Sequence, residues 1–199
     1  MKYILIDTNP KLVDAWREFF AAAPDVTIME GDITQLSVDA VVSPANSFGF
    51  MDGSLDYALS ERLGWHLEKE LQAKIKASPE GELLIGQALV LETGDQQIPY
   101  LISAPTMRIP TNFNIDTSVN AYLAMKALLI AANRHNSIQS VAIPGLCTGV
   151  GRMPPVIAAK QMFYAYEEIV SGKKQDFKTF GEAQKYHWHI NPQGMIWTH

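Results

Sequence analysis

The run Val38-Asp39-Ala40-Val41-Val42-Ser43 breaks without transition into Pro44-Ala45-Asn46-Ser47-Phe48-Gly49-Phe50-Met51-Asp52-Gly53-Ser54-Leu55-Asp56. Branched apolar residues that give way to Pro, Asn and Gly, with helical spacing resuming at about Ser54, read as a buried strand, a long loop and a helix start. A second stretch repeats the pattern: the apolar run from Ser140 to Pro144 is followed by Gly145-Leu146-Cys147-Thr148-Gly149-Val150-Gly151-Arg152. Loops at the carboxyl ends of buried strands bring backbone N–H groups and a helix N-terminus together, which suits them to an anion without any lysine. Glycines in such loops let the backbone approach a ligand closely. If the two strands are neighbours, the loops lie side by side and can clamp a diphosphate.

The rest of the chain supplies a scaffold of alternating strands and helices. Lys2 to Asp7 is a first strand, and Asn9 with Pro10 reads as an N-cap and first helical position. The helix that follows carries Leu12, Trp16, Phe19, Phe20 and Ala23 on one face. Val26 to Glu30 is a second strand and Asp39 to Ser43 a third. Helical patterns run from Ser54 to Leu63 and, after Gly64, to about Lys76. Strands follow at Gln87 to Thr93 and Tyr100 to Ala104, with 93–97 as their hairpin loop. Pro105 to Asp116, with Arg108, Pro110 and two asparagines, reads as a long loop bordering a pocket. A helix from Ser118 to Asn133 and a last long helix from Pro155 to about Val170, with Val156, Ala159, Phe163 and Tyr166 inward, complete the alternation. This order implies an α/β fold with a mixed, mostly parallel central sheet covered on both faces, a three-layer α/β/α sandwich. The aromatic run Tyr186-His187-Trp188-His189-Ile190 reads as a final strand, and a tail with Trp197 packs on the body.

Several classes of function are disfavoured. The formal net charge of −5 argues against a broad nucleic-acid-binding surface. No apolar run approaches the roughly 18 to 20 residues that span a bilayer, so no membrane partner is expected. The N-terminus is too poor in basic and apolar residues for a secretory signal, and a cytoplasmic location is expected. Cys147 is the single cysteine, which removes an intramolecular disulfide and a multi-cysteine zinc site. No histidine motif accompanies it, so it reads as a small residue in a tight loop rather than a nucleophile. His187 and His189 share a face if their strand is real, but no third ligand is evident, and no metal or other cofactor is expected. Gly145-x-x-x-Gly149-x-Gly151 lacks the Gly-Lys-Ser/Thr of a P-loop, and no Gly-x-Gly-x-x-Gly follows the first strand.

Taken together, Gly31-Asp32-Ile33-Thr34, Val38 to Val42, Pro44-Ala45-Asn46, Gly86-x-Ala88 with Thr93-Gly94, Ile98 to Ile102, Ala142-Ile143-Pro144 and Cys147-Thr148-Gly149-Val150 resemble the macro domain family, an ADP-ribose-binding module with hydrolytic members. The resemblance covers roughly residues 26–170 of one macro-like domain, residues 1–199, leaving 1–25 as an N-terminal strand and helix and 171–199 as an extension. It implies that Asp32 accepts from the adenine amino group with Ile33 beside it. Asn46, Gly49, Gly53 and Ser54 would surround the distal ribose and a phosphate. Cys147, Thr148, Gly149, Val150, Gly151 and Arg152 would present amides to the diphosphate. Asp56 falls where hydrolytic members carry an aspartate.

The implied ligand is ADP-ribose or an ADP-ribosylated macromolecule. The implied reaction is hydrolysis at the anomeric carbon of the distal ribose, through an oxocarbenium-like state that a carboxylate stabilises while water is oriented. Asp56 is the first candidate for that carboxylate, Asp52 the second, and Asn46 aligns the ribose. The alternative is a non-catalytic module that reads ADP-ribose or an NAD-derived metabolite. The sequence departs from the family in its bulkier first loop, Gly49 to Ser54, and in Gly151, which stands where an aromatic residue is usual. A third reading, in which Phe50 or Met51 fills the cleft and nothing binds, follows from the first departure.

Overall fold

The structure is a computed structural model that describes residues 1–111 and 115–196. Asn112 and Asn114 of the long loop, and Trp197, lie outside the described residues. The strands are β1 (Lys2–Asp7), β2 (Val26–Glu30), β3 (Ala40–Ser43), β4 (Leu89–Glu92), β5 (Tyr100–Ser103) and β6 (Ser140–Ile143). They form a six-stranded sheet in the order β2-β1-β6-β3-β5-β4. Every pairing is parallel except that of β4 with β5.

The sheet is buried on both sides because its central strands are apolar at most positions. Successive side chains alternate between faces, so Tyr3, Leu5, Ala40, Val42, Ile102, Val141 and Ile143 enter one core, and Ile6, Val41, Leu101 and Ala142 enter the other. Helices α1 (Pro10–Phe19), α4 (Asn120–Arg134) and α5 (Pro155–Ile169) cover the first face with Leu12, Trp16, Met125, Leu128, Leu129, Met162 and Tyr166. Helices α2 (Ser54–Leu63) and α3 (His66–Ala77) cover the second with Leu59, Leu63, Leu67, Leu71 and Ile75. The result is the expected α/β/α layering. No described helix is long and apolar enough to cross a membrane.

Local signals explain several helix boundaries. The Asn9 side chain accepts from the Lys11 N–H, and Pro10 opens α1. Gly64 separates α2 from α3 at a φ of 107°, which a side chain rarely adopts. On α5 Ala159, Phe163 and Tyr166 face the core as expected, whereas Val156 is exposed, and Ala158, Met162 and Ala165 join the buried stripe.

The C-terminal expectation fails. Residues 186–190 belong to a helix, α6 (Phe180–Ile190), not a strand. Its start was encoded upstream, where the Thr179 hydroxyl accepts from the Glu182 N–H and the Glu182 carboxylate accepts from the Lys178 N–H. This is a variant of the capping box, and it outweighs the strand preference of the aromatic run. Two residues on a helix are about 200° apart, so His187 and His189 do not share a face. Among the described residues no group of three His, Cys, Asp or Glu side chains is placed to hold a metal ion.

Strands β3 and β6 are neighbours, with Ala40 opposite Val141 and Val41 opposite Ala142. Their amino ends are tied by Asp39, whose carboxylate accepts from the N–H groups of Gln139 (2.9 Å) and Ser140 (2.8 Å) and from the Ser140 hydroxyl (2.9 Å). Hydrogen bonds to a charged group are the stronger kind. Asp39→Ala is therefore expected to lower the unfolding free energy by about 2–3 kcal/mol, read as a shifted midpoint in urea denaturation. A change under about 0.5 kcal/mol would show that this tie contributes little.

Candidate functional site

Because β1, β2, β3, β5 and β6 run parallel, their carboxyl ends share one edge of the sheet, and a cleft of about 510 Å³ opens there. Strand ends supply its floor through Asp7, Gly31, Pro44 and Pro144. Residues 46–56 form one wall and residues 145–151 the other, with Thr106, Met107 and Pro110 at the rim. The loop expected to border a pocket does so at these last three positions. Asp32, Ile33, Asn46, Asp52, Gly53, Ser54, Asp56, Cys147, Thr148, Gly149, Val150 and Gly151 all line the cleft. Gly49 and Arg152 do not. Gly49, at a φ of 75°, lies against α3, where an added Cβ would meet Leu71 Cγ at 2.9 Å. Arg152 is exposed, and its N–H turns back to the Gly149 carbonyl at 3.0 Å.

The first wall is a braced loop. Asn46 Oδ1 accepts from the N–H groups of Phe48 (3.0 Å) and Phe50 (3.4 Å), and its Nδ2 donates to the Phe50 carbonyl at 2.9 Å. Met51 is fully buried between α2 and α3, its N–H on the Glu68 carboxylate (2.7 Å) and its carbonyl on the Ser60 hydroxyl (3.0 Å). The bulky residue in this loop thus anchors it to the core and does not fill the cleft. Phe50 stands on the cleft wall, 53% exposed.

The second wall is tied to the floor by Asp7, a residue that sequence reasoning saw only as the end of a strand. Asp7 Oδ2 accepts from the Gly145 N–H at 3.0 Å, and Oδ1 from the Asn9 N–H at 2.9 Å. No side chain fits at position 145. A Cβ there would lie 2.5 Å from Leu12 Cδ2 and 2.7 Å from Asp7 Oδ2. Beyond it, the Met153 N–H bonds to the Cys147 carbonyl (3.0 Å), and the N–H groups of Thr148, Gly149, Val150 and Gly151 make no hydrogen bond among the described residues. The Cys147 thiol is buried, and burial pushes its pKa up to about 12. It is a poor nucleophile at neutral pH.

Four carboxylates line the cleft, those of Asp7, Asp32, Asp52 and Asp56; among the described lining residues none is a lysine, arginine or histidine. An anion in this cleft would therefore be held by backbone N–H groups and neutral donors such as the Ser54 and Thr148 hydroxyls. Asp32 Oδ1 accepts from the Thr34 N–H (2.9 Å) and hydroxyl (2.8 Å), bonds that lower its pKa, and Oδ2 is free of that pairing. Asp56 sits in the first turn of α2 and accepts from the Ser43 hydroxyl at 2.6 Å. Burial pushes its pKa up to about 6, against the lowering effect of that hydrogen bond and with a smaller upward push from the Asp52 charge.

The shift of Asp56 fixes a stability signature. The folded state holds this proton more tightly than the unfolded chain does, so stability is lost as pH rises from below 4 to above 6. Asp56→Asn removes the buried charge while keeping an acceptor for Ser43. It is expected to raise stability at pH 7 by about 1–3 kcal/mol, an advantage that fades as pH falls from about 6 to about 4. Thermal unfolding across this pH range measures it, and an equal gain at every pH would contradict the assignment.

The macro domain family model matches residues 42–162. A macro domain-containing protein of Listeria monocytogenes is 32% identical over 142 residues, which span 70% of this chain and 77% of that protein. The chain belongs to the macro domain family. An O-acetyl-ADP-ribose deacetylase of Enterobacter is 29% identical over 153 residues, 75% of this chain and 81% of that one. Among solved structures, a mutant Oceanobacillus iheyensis macrodomain with ADPR shares the fold at a TM-score of 0.58 and 22% identity, over 68% of this chain and 72% of that one.

Proposed function

We propose that the cleft takes ADP-ribose or a close derivative and that the chain hydrolyses a linkage at the distal ribose. The observation that carries the reading is Asp56, a carboxylate on the cleft wall, held by Ser43 and titrating near pH 6. General acid–base catalysis favours a group that titrates near the working pH. Family membership supports ADP-ribose as the ligand, and the names of the Enterobacter relative and the Oceanobacillus structure point to the same chemistry.

In this reading the Asp32 oxygen left free by Thr34 accepts from the adenine amino group, with Ile33 beside the ring. The diphosphate lies against the amides of Thr148 to Gly151, which suits a cleft without a lining cation. Asn46 has one role as a brace and offers its remaining N–H toward the distal ribose. As the bond at the anomeric carbon breaks, positive charge develops on the ribose and the ionised Asp56 stabilises it. A water held by Asp56 supplies the new C–O bond, and its proton leaves with the acceptor. Asp52, exposed at the lip, is the second carboxylate within range.

Turnover is measured on an ADP-ribosylated protein and on O-acetyl-ADP-ribose, which separates cleavage at the anomeric carbon from hydrolysis of an ester on the same sugar. The rate is expected to rise with pH through a midpoint near 6 to a plateau above about 7, with about one tenth of the plateau at pH 5. Asp56→Asn is expected to slow it about 100-fold or more with ADP-ribose affinity changed less than about threefold. Binding without turnover on either substrate would leave the non-catalytic module as the correct reading.

A further inference from the structure

The C-terminal helix α6 lies beyond the part of the chain that the family model matches, and it ends in the most enclosed polar side chain of its region. Asn191 is 0% exposed. Its Nδ2 donates to two carbonyls, Asp116 at 2.6 Å and Ser118 at 2.9 Å, and its Oδ1 accepts from the Gln193 N–H at 3.1 Å. The carboxamide thus uses both of its N–H groups on one short segment, 116–118, that precedes α4. The turn beyond it presses Gly194 onto Thr117, where an added Cβ would lie 3.3 Å from Thr117 Cβ.

That segment leads directly to the cleft. The Ser118 hydroxyl (2.6 Å) and N–H (3.0 Å) both donate to the Ile115 carbonyl, and the Ile115 N–H donates to the Gly151 carbonyl at 3.1 Å. The Ile115 side chain also closes on Gly151: an added Cβ there would lie 2.9 Å from Ile115 Cδ1 and 2.7 Å from the Cys147 carbonyl. Gly151 lines the cleft on the wall whose Thr148 to Gly151 amides make no hydrogen bond among the described residues. A continuous chain of hydrogen bonds and contacts therefore runs from the end of α6 to that wall.

We propose that Asn191 is a positioning residue: through the 115–118 segment it sets the place of Gly151 and so the geometry of the amide-bearing wall. An amide array holds an anion well only when its N–H groups are fixed before the ligand arrives, since any ordering left to binding weakens it. The consequence for a diphosphate ligand rests on the ADP-ribose reading, whereas the mechanical link to Gly151 does not. The second anchor of α6 is separate: the Tyr186 hydroxyl donates to Glu168 of α5 at 2.5 Å and touches neither carbonyl.

The test is residue-resolved hydrogen exchange on wild type, Asn191→Ala, Ser118→Ala and Tyr186→Phe. Asn191→Ala removes the clamp, Ser118→Ala removes one of the two bonds in the next link without touching α6, and Tyr186→Phe loosens α6 elsewhere. Exchange at the amides of Ile115 and Met153 is expected to quicken about tenfold, the size of one lost hydrogen bond, in Asn191→Ala, and in the same direction in Ser118→Ala. Amides of β1, β3 and β6 stay as in wild type, and Tyr186→Phe leaves Ile115 and Met153 unchanged. ADP-ribose affinity is expected to fall about tenfold in Asn191→Ala with kcat unchanged. Unaltered Ile115 and Met153 exchange in Asn191→Ala overturns the proposal, as does uniform loss of protection across the sheet. Should Asn191→Ala fail to fold, Ser118→Ala decides by the same two amides. If wild type binds no ADP-ribose, the ligand reading fails, while the exchange comparison still decides the role of Asn191.

Discussion

The carboxylate of Asp7 on the amide of Gly145 is the contact on which the cleft depends. It joins residues 138 positions apart in sequence, and it exists only because β1 and β6 are parallel neighbours whose carboxyl ends reach the same edge. Parallel pairing in turn requires both sheet faces to be covered. The two apolar cores, one under α1, α4 and α5 and the other under α2 and α3, meet that requirement. Burial therefore sets the topology, topology gathers the strand ends, and Asp7 fixes the second loop onto them. Gly145 follows from this: any side chain there would displace Leu12 or Asp7 itself.

The two walls are held in place by different means. The first is anchored from within, by Met51 in the α2–α3 core and by Asn46 closing the loop on Phe48 and Phe50. The second is anchored from its ends, by Asp7 at Gly145 and by Ile115 at Gly151, and the N–H groups of Thr148 to Gly151 make no hydrogen bond among the described residues. With carboxylates and no cation among the described residues that line it, the cleft offers an anion fixed dipoles in place of mobile cations. Fixed dipoles need no reorganisation on binding, which makes loop anchoring part of the proposed function.

Much of this was legible in the sequence. Strand–loop–helix transitions at Ser43 and Pro144 announced two glycine-bearing loops, and their strands prove to be neighbours. Asp56 stood out through its place in a family motif; its raised pKa did not, because that depends on burial and on Ser43 as its partner. Asp7 was illegible, since an acid at a strand end acquires meaning only from Gly145. Gly49 and Met51 read as loop residues, and only packing against Leu71, and the Glu68 bond, show which way each faces. The misreading of α6 had a local cause. Its aromatic residues carry a strand preference, whereas Thr179 and Glu182, which set the helix, lie in the polar stretch before them.

The most direct test of the central claim, that this cleft takes ADP-ribose, is a calorimetric titration of the full chain with ADP-ribose, with AMP and NAD as comparisons. Saturable one-to-one binding of ADP-ribose, at least about tenfold tighter than AMP, is the predicted result. It would mean that the diphosphate and distal ribose contribute through the two walls. Equal affinity for AMP and ADP-ribose, or no heat with either, would contradict it.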